Sequence, residues 1–153
     1  MVPPTVVKRE REEMAKPSPS ELWTLNFELS MAVMAEVEPE VRELGLEMKE
    51  LFLLGKLDEH PHPADLARAL ITPKPSITFM VKRMEAAGFV ARETEVDDLR
   101  RFRLTLTRSG RRVMEAARAI LDEAFGRRLA RLTAGERAEL LRILLRLSEE
   151  CAR

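Results

Sequence analysis

Within residues 63–107 the apolar positions change period, and that change leaves few folds open. From Pro63 to Leu70, the residues Leu66, Ala67 and Leu70 recur at helical spacing, and Ile71-Thr72 then turns the chain. Thr72, with Pro73 behind it, reads as the capped start of a second helix. The buried stripe of that helix is Ile77, Met80, Val81 and Met84, and Gly88 stops it. After Gly88 the period drops to two. Residues 89–94 and 102–107 alternate as strands, with Val90 on one face and Phe102, Leu104 and Leu106 on the other. The polar stretch from Glu95 to Arg101 between them is expected to project as a hairpin loop. Two short helices about a tight turn form a helix-turn-helix, and a hairpin directly after them supplies a wing.

The flanks are helical. Residues 1–17 carry mixed charges between prolines and read as an arm. Ser18-Pro19-Ser20-Glu21 then sets a capping serine, a proline in the first helical position and a glutamate in the third. Leu22, Leu25, Leu29, Ala32 and Val33 follow on one face, so helix one should run to about Leu44, with a kink or restart near Pro39, and Gly45 breaks it. Leu51, Leu54 and Leu57 predict a second helix that ends before His60-Pro61-His62-Pro63. After the wing, Thr107 caps a helix bearing Val113, Ala117, Ile120, Leu121, Ala124, Leu129 and Leu132, with Gly126 a weak point. Thr133-Ala134-Gly135-Glu136 is a capping box for a last helix striped by Leu140, Leu141, Leu144, Leu147 and Cys151. The expected fold is mainly α with a small β-hairpin wing. Residues 45–107 form the winged helix-turn-helix, and residues 18–44 and 108–153 form a helical dimerisation region. The apolar faces of that region exceed what a small winged-helix core covers, so they pack on one another or against a second chain.

Composition narrows the function classes. The chain has 153 residues, 26 Lys+Arg against 26 Asp+Glu and a single cysteine, Cys151, which cannot pair internally and fits a reducing cytoplasm. KREREEMAK occupies the place where a signal peptide needs an apolar run, and no apolar run approaches the ~20 residues of a membrane helix, so no membrane partner is expected. The zero net charge hides an asymmetry. Residues 1–65 hold 7 basic against 14 acidic side chains, whereas residues 66–112 hold 11 against 5, the pattern expected where one subregion faces a polyanion.

On the second helix of the motif, Lys74, Pro75, Ser76, Thr78, Phe79 and Lys82 should face solvent, with Arg83 beside them. Short hydroxyl and cationic side chains near a helix N-terminus suit base edges and phosphates in a major groove, and Phe79 suits thymine methyls or the wing. On the loop, Arg100 and Arg101 suit a minor groove, with Asp98 fixing the arginine geometry. His60 and His62 offer at most two ligands, short of a zinc site, and Glu149 and Glu150 beside Cys151 oppose a lowered thiol pKa. No Gly-rich phosphate loop, G-x-S-x-G or H-E-x-x-H motif is present, so neither an enzyme nor a cofactor is expected.

The segments Leu66-Ala67, Ser76-Ile77-Thr78, Val81-Lys82-Arg83-Met84-Glu85, Gly88-Phe89-Val90, Asp98-Leu99-Arg100, Leu104-Thr105-Leu106-Thr107 and Gly110 together resemble the winged-helix core of the MarR (multiple antibiotic resistance regulator) family. The likeness extends over about residues 20–150. It implies a homodimeric transcription regulator, a repressor by expectation, that binds double-stranded DNA. Its recognition helix would lie in the major groove, with Arg100 at the wing tip in the minor groove and Asp98 as buttress. It also implies release by a small aromatic or phenolic effector, with Trp23 and Phe27 lining the cleft or packing at the dimer interface. Phe79, Pro73 and Pro75 depart from the family pattern. The alternatives are a winged-helix protein-interaction module and a thiol- or metal-responsive regulator.

Overall fold

The computed structural model describes residues 16–94 and 102–149. Its elements in chain order are α1 (Pro19–Glu43), α2 (Met48–Lys56), α3 (Pro63–Ala69), α4 (Lys74–Ala86), β1 (Val90–Thr94), β2 (Phe102–Leu106), α5 (Arg108–Leu129) and α6 (Ala134–Glu149). By its contacts the chain divides into two compact units, residues 1–33 and 34–153.

In the first unit, the start of α1 is closed as its sequence requires. The Ser18 hydroxyl accepts from Glu21 N at 3.2 Å and the Glu21 carboxylate accepts from Ser18 N at 2.8 Å, a reciprocal capping box. The backbone donor holds the Glu21 carboxyl below the usual carboxylate range. Beyond it, Leu22, Trp23, Leu25, Phe27, Leu29 and Met31 are all exposed, and Trp23 stacks on Phe27 with ring centroids 6.5 Å apart.

In the second unit α1 continues unbroken through Pro39, so the expected restart is absent. Pro39 and Ala35 are both exposed, and water can serve the carbonyl that the missing N–H leaves unpaired. Val37 and Val41 are buried, and the far end of α1 is pinned by Glu36, whose carboxylate pairs with both Arg127 and Arg128 of α5. Those guanidinium groups lower the Glu36 pKa, Arg127 most. The core is built from Leu46, Leu53, Leu54, Leu57, Leu66, Ile77, Met84 and Leu104, all almost fully buried.

The end of α4 shows how local sequence positions the wing. Phe89 N donates to Met84 O at 2.9 Å and Gly88 N to Glu85 O at 3.0 Å, a Schellman closure that needs a left-handed residue. Gly88 supplies it at φ +74 without steric cost. The two strands pair antiparallel with Val90 opposite Leu106, Arg92 opposite Leu104 and Thr94 opposite Phe102. Directly opposed residues share a face, so Val90 lies on the same side as Phe102, Leu104 and Leu106, which corrects the opposite-face assignment. Alternation fixes sides only within a strand; the register across the hairpin fixes the rest. Val90 and Leu104 turn this face into the core. On its other edge β2 is held by Leu104 N donating to Pro61 O at 2.8 Å, and by a 3.2 Å hydrogen bond between His62 Nδ1 and Phe102 O.

Thr107 joins wing to α5. Its Oγ1 accepts from Gly110 N at 2.9 Å and donates to Gly88 O at 2.6 Å. Gly126 lies inside α5 without interrupting it, and Leu132 falls just past its end. Thr133 and Glu136 form the expected capping box at 2.8 and 3.3 Å, which lowers the Glu136 pKa. On α6, Leu140 is half-buried, while Leu141, Ile143, Leu144, Leu145 and Leu147 are exposed. Cys151 lies outside the described residues.

Candidate nucleic-acid interface

The turn between α3 and α4 sets how α4 is presented. Thr72 N donates to Ala67 O at 2.9 Å and Ile71 N to Arg68 O at 3.2 Å, the Schellman pattern again, here with Ile71 at φ +48 in the left-handed position. The expected Thr72 cap is not made. Its hydroxyl donates backward to Leu70 O at 2.9 Å, and the N-cap residue is Pro73, which has no side-chain acceptor to offer. Helix α4 therefore begins at Lys74, with Pro75 in its first turn and no acidic residue there. Its positive dipole end is left unneutralised by any side chain of that turn.

Ile77, Met80, Val81 and Met84 are buried as the spacing predicts, and Lys74, Pro75, Ser76, Thr78, Phe79 and Lys82 are exposed. Pro75, Thr78 or Phe79, and Lys82 recur at three- and four-residue intervals, so they form one outward face. Thr78 donates its hydroxyl to Lys74 O at 3.0 Å, which leaves the oxygen free to accept. Phe79 is 67% exposed on this face. Among the described residues no carboxylate pairs with Lys74 or Lys82.

Arg83, expected beside that face, also makes an internal contact. Its guanidinium grips Glu50 of α2 with two hydrogen bonds of 2.6 Å, Nε to Oε1 and Nη2 to Oε2, and reaches Glu47 at 3.1 Å. Glu50 is 1% exposed, so this is a fork-to-fork pair at the joint between α2 and α4, while the Arg83 side chain itself stays 40% exposed. The Glu50 hydrogen bonds raise the Arg83 pKa further. Sequence reasoning missed Glu50. The available signal was its place four residues from both Leu46 and Leu54, on the buried face of α2. Arg92 was missed as well. It pairs with Glu85 through two bonds of 3.0 Å and lies 3.9 Å from the Phe102 ring centroid, which braces the hairpin against α4. Asp98, Arg100 and Arg101 lie outside the described residues.

Comparison with known proteins completes the assignment. The MarR family model matches residues 46–102, from the start of the winged helix into β2. The HTH-type transcriptional repressor Rv2887 of Mycobacterium tuberculosis is 34% identical over 132 residues, covering 84% of this chain and 94% of that protein. The chain belongs to the MarR family. A crystal structure of the M. tuberculosis MarR family protein Rv2887 in complex with p-aminosalicylic acid superposes with a TM-score of 0.68 at 32% identity, covering 83% of this chain and 98% of that one. The S. aureus MepR–DNA complex superposes with a TM-score of 0.69 at 20% identity over 88% of this chain and 96% of that one, a likeness of fold.

This MarR-family chain has a second feature, a cleft of about 620 Å³ between α2 and α5. Leu51, Phe52, Met114 and Leu121 make its apolar walls, and Lys56, Asp58, Glu59, Arg111 and Arg118 its polar ones, with Lys56 paired to Glu59 at 2.9 Å. Arg111 is tied to Asp58 at 3.1 and 3.3 Å, which raises its pKa, whereas Arg118 has no ion pair among the described residues. Among the described residues no three His, Cys, Asp or Glu side chains gather as a metal site, and no helix is long and apolar enough to cross a membrane.

Proposed function

We propose that this chain is a dimeric transcription repressor that binds a pseudo-palindromic duplex site and is released by a small aromatic acid. The observation that carries the reading is the exposed α4 surface: two lysines with no ion pair among the described residues, two hydroxyl side chains and Phe79, at a helix end with no acid in its first turn. A solvated helix of no function has no use for an exposed Phe among cations. In a duplex complex Lys74 and Lys82 take phosphates, Ser76 and Thr78 reach base edges, and Arg100 enters the minor groove with Asp98 as its buttress. The exposed apolar residues of α6 and of the first half of α1 are assigned to a second copy of the chain, which presents two recognition helices to half-sites about one helical turn apart.

The cleft between α2 and α5 is the effector site in this reading. Its apolar walls fit an aromatic ring and Arg118 a carboxylate, the chemistry of the p-aminosalicylic acid held by the M. tuberculosis relative. An effector that favours one placement of the two recognition helices over another lowers DNA affinity by population shift.

Fluorescence anisotropy on duplexes from the gene's own upstream region tests the whole. Lys82→Ala and Arg100→Ala are each expected to weaken binding and to reduce the slope of log K against log salt by about 0.9. Salicylate should weaken binding of the native protein and leave Arg118→Ala unresponsive. Retention of no upstream duplex by the native protein would refute the reading, and unchanged affinity of Arg100→Ala at every salt concentration would remove the wing from it.

A further inference from the structure

Ile71 occupies the left-handed region at φ +48 with 94% of its surface exposed. Both facts run against isoleucine chemistry. A β-branched side chain crowds its own backbone there, and an apolar side chain left in water returns nothing to the fold. The turn itself asks only for a positive φ, and in the same closure at the ends of α1 and α4 that position is held by Gly45 and Gly88. Strain of this kind persists where the side chain has work outside the fold.

The surroundings say what the work is. Ile71 stands two residues before the Pro73 N-cap of α4 and borders a shallow groove whose lining is mostly apolar, Phe52, Ala69, Leu70 and Met80, with Thr72 and Lys49. Lys74 opens α4 on one side, and no acid lies in its first turn. A protruding apolar side chain with Lys49 in the adjoining groove and Lys74 three residues on, at a helix N-terminus, matches a ligand that is anionic along its rim and apolar at isolated positions. The major groove of duplex DNA is such a ligand, and its apolar points are the C5-methyl groups of thymine.

We infer that Ile71 is a specificity-determining residue of the DNA interface, packing on a thymine methyl group beside the N-terminus of α4. The inference rests on α4 being the recognition helix. It is tested on a duplex selected from a randomised pool by the native homodimer, with each thymine replaced in turn by deoxyuridine, which lacks only the methyl group. The native protein is expected to lose about fourfold in affinity at one thymine of each half-site. Ile71→Gly and Ile71→Asn, both compatible with a positive φ, should lose affinity on the thymine duplex and lose nothing more at that deoxyuridine. Circular dichroism should show both variants folded, with Ile71→Gly melting higher than the native protein. Native affinity of both variants for the thymine duplex, or penalties of variant and deoxyuridine that simply add, would overturn the inference. Failure of the native protein to select any duplex would overturn the reading of α4 instead.

Discussion

The Arg83–Glu50 joint makes the sharpest stability prediction, because its two halves are unequally buried. Glu50 is 1% exposed and its carboxylate accepts from Arg83 Nε, from Arg83 Nη2 and from Glu47 N at 2.8 Å. The Arg83 side chain is 40% exposed. Replacing Arg83 by Met keeps most of the aliphatic stem and strands the carboxylate with the Glu47 N–H and whatever water can reach it. Stranding one member of a fully buried pair costs about 3–5 kcal/mol, and the solvent access on the arginine side lowers this to about 2–3 kcal/mol. Replacing Glu50 by Gln instead removes the charge that was buried, keeps the shape and one of the two acceptor oxygens, and lets the guanidinium turn to water or to the exposed Glu47, at about 1 kcal/mol. Urea unfolding followed at 222 nm, at fixed protomer concentration, reads both from the midpoint at constant slope. For a chain of this size the arginine variant should also melt about 4–12 °C lower. Equal losses, or a larger loss for Glu50→Gln, would refute the argument that arginine neutralises a buried carboxylate.

Three further outcomes follow from the packing. A Cβ placed on Gly110 would stand 1.9 Å from the Phe89 carbonyl oxygen, so Gly110→Ala must push α5 off the strand entry and should cost about 2–3 kcal/mol, whereas Gly126→Ala, with nothing within 4 Å of its Cβ, should be neutral or stabilising in the same urea titration. The Glu36 pKa is lowered by Arg127 and Arg128, so the unfolded chain binds the extra proton, and the contribution is complete above the ordinary value of 4.5 and lost as pH falls through the lowered one. Glu36→Gln should therefore flatten the fall of Tm with acid below that value and leave the slope between pH 6 and 8 unchanged. Leu144→Glu on the exposed stripe of α6 should yield a folded monomer by light scattering and weaken DNA binding by well over tenfold, since one half-site then acts alone; a dimer unchanged by it would remove α6 from the interface.

Much of this molecule was legible because its punctuation is local. Ser18 with Glu21, Thr107 with Gly110, and Thr133 with Glu136 each close a cap within three residues, and Gly45 and Gly88 end helices through their own backbone. The stripe Ile77, Met80, Val81 and Met84 is a matter of helical period alone, so the exposed face of α4 could be named from it. Local rules misled at Thr72, where the closure at Ile71 had already committed the hydroxyl to the preceding turn. They misled also at Pro39, where an exposed helix face absorbs the lost hydrogen bond.

What the sequence by itself determined was thus the order of elements, their ends and their buried sides, all set by interactions that close within about four residues. Tertiary structure alone decided the rest. Arg83 meets Glu50 across 33 positions, and that meeting clamps α4 to α2. The hairpin register put Val90 opposite Leu106 and on the same side as Leu104, and the approach of α5 to α2 opened the cleft at Phe52 and Arg118. A charge or a methyl group on a helix face has no fixed partner until another element is packed against it, and the energy of that packing belongs to the pair.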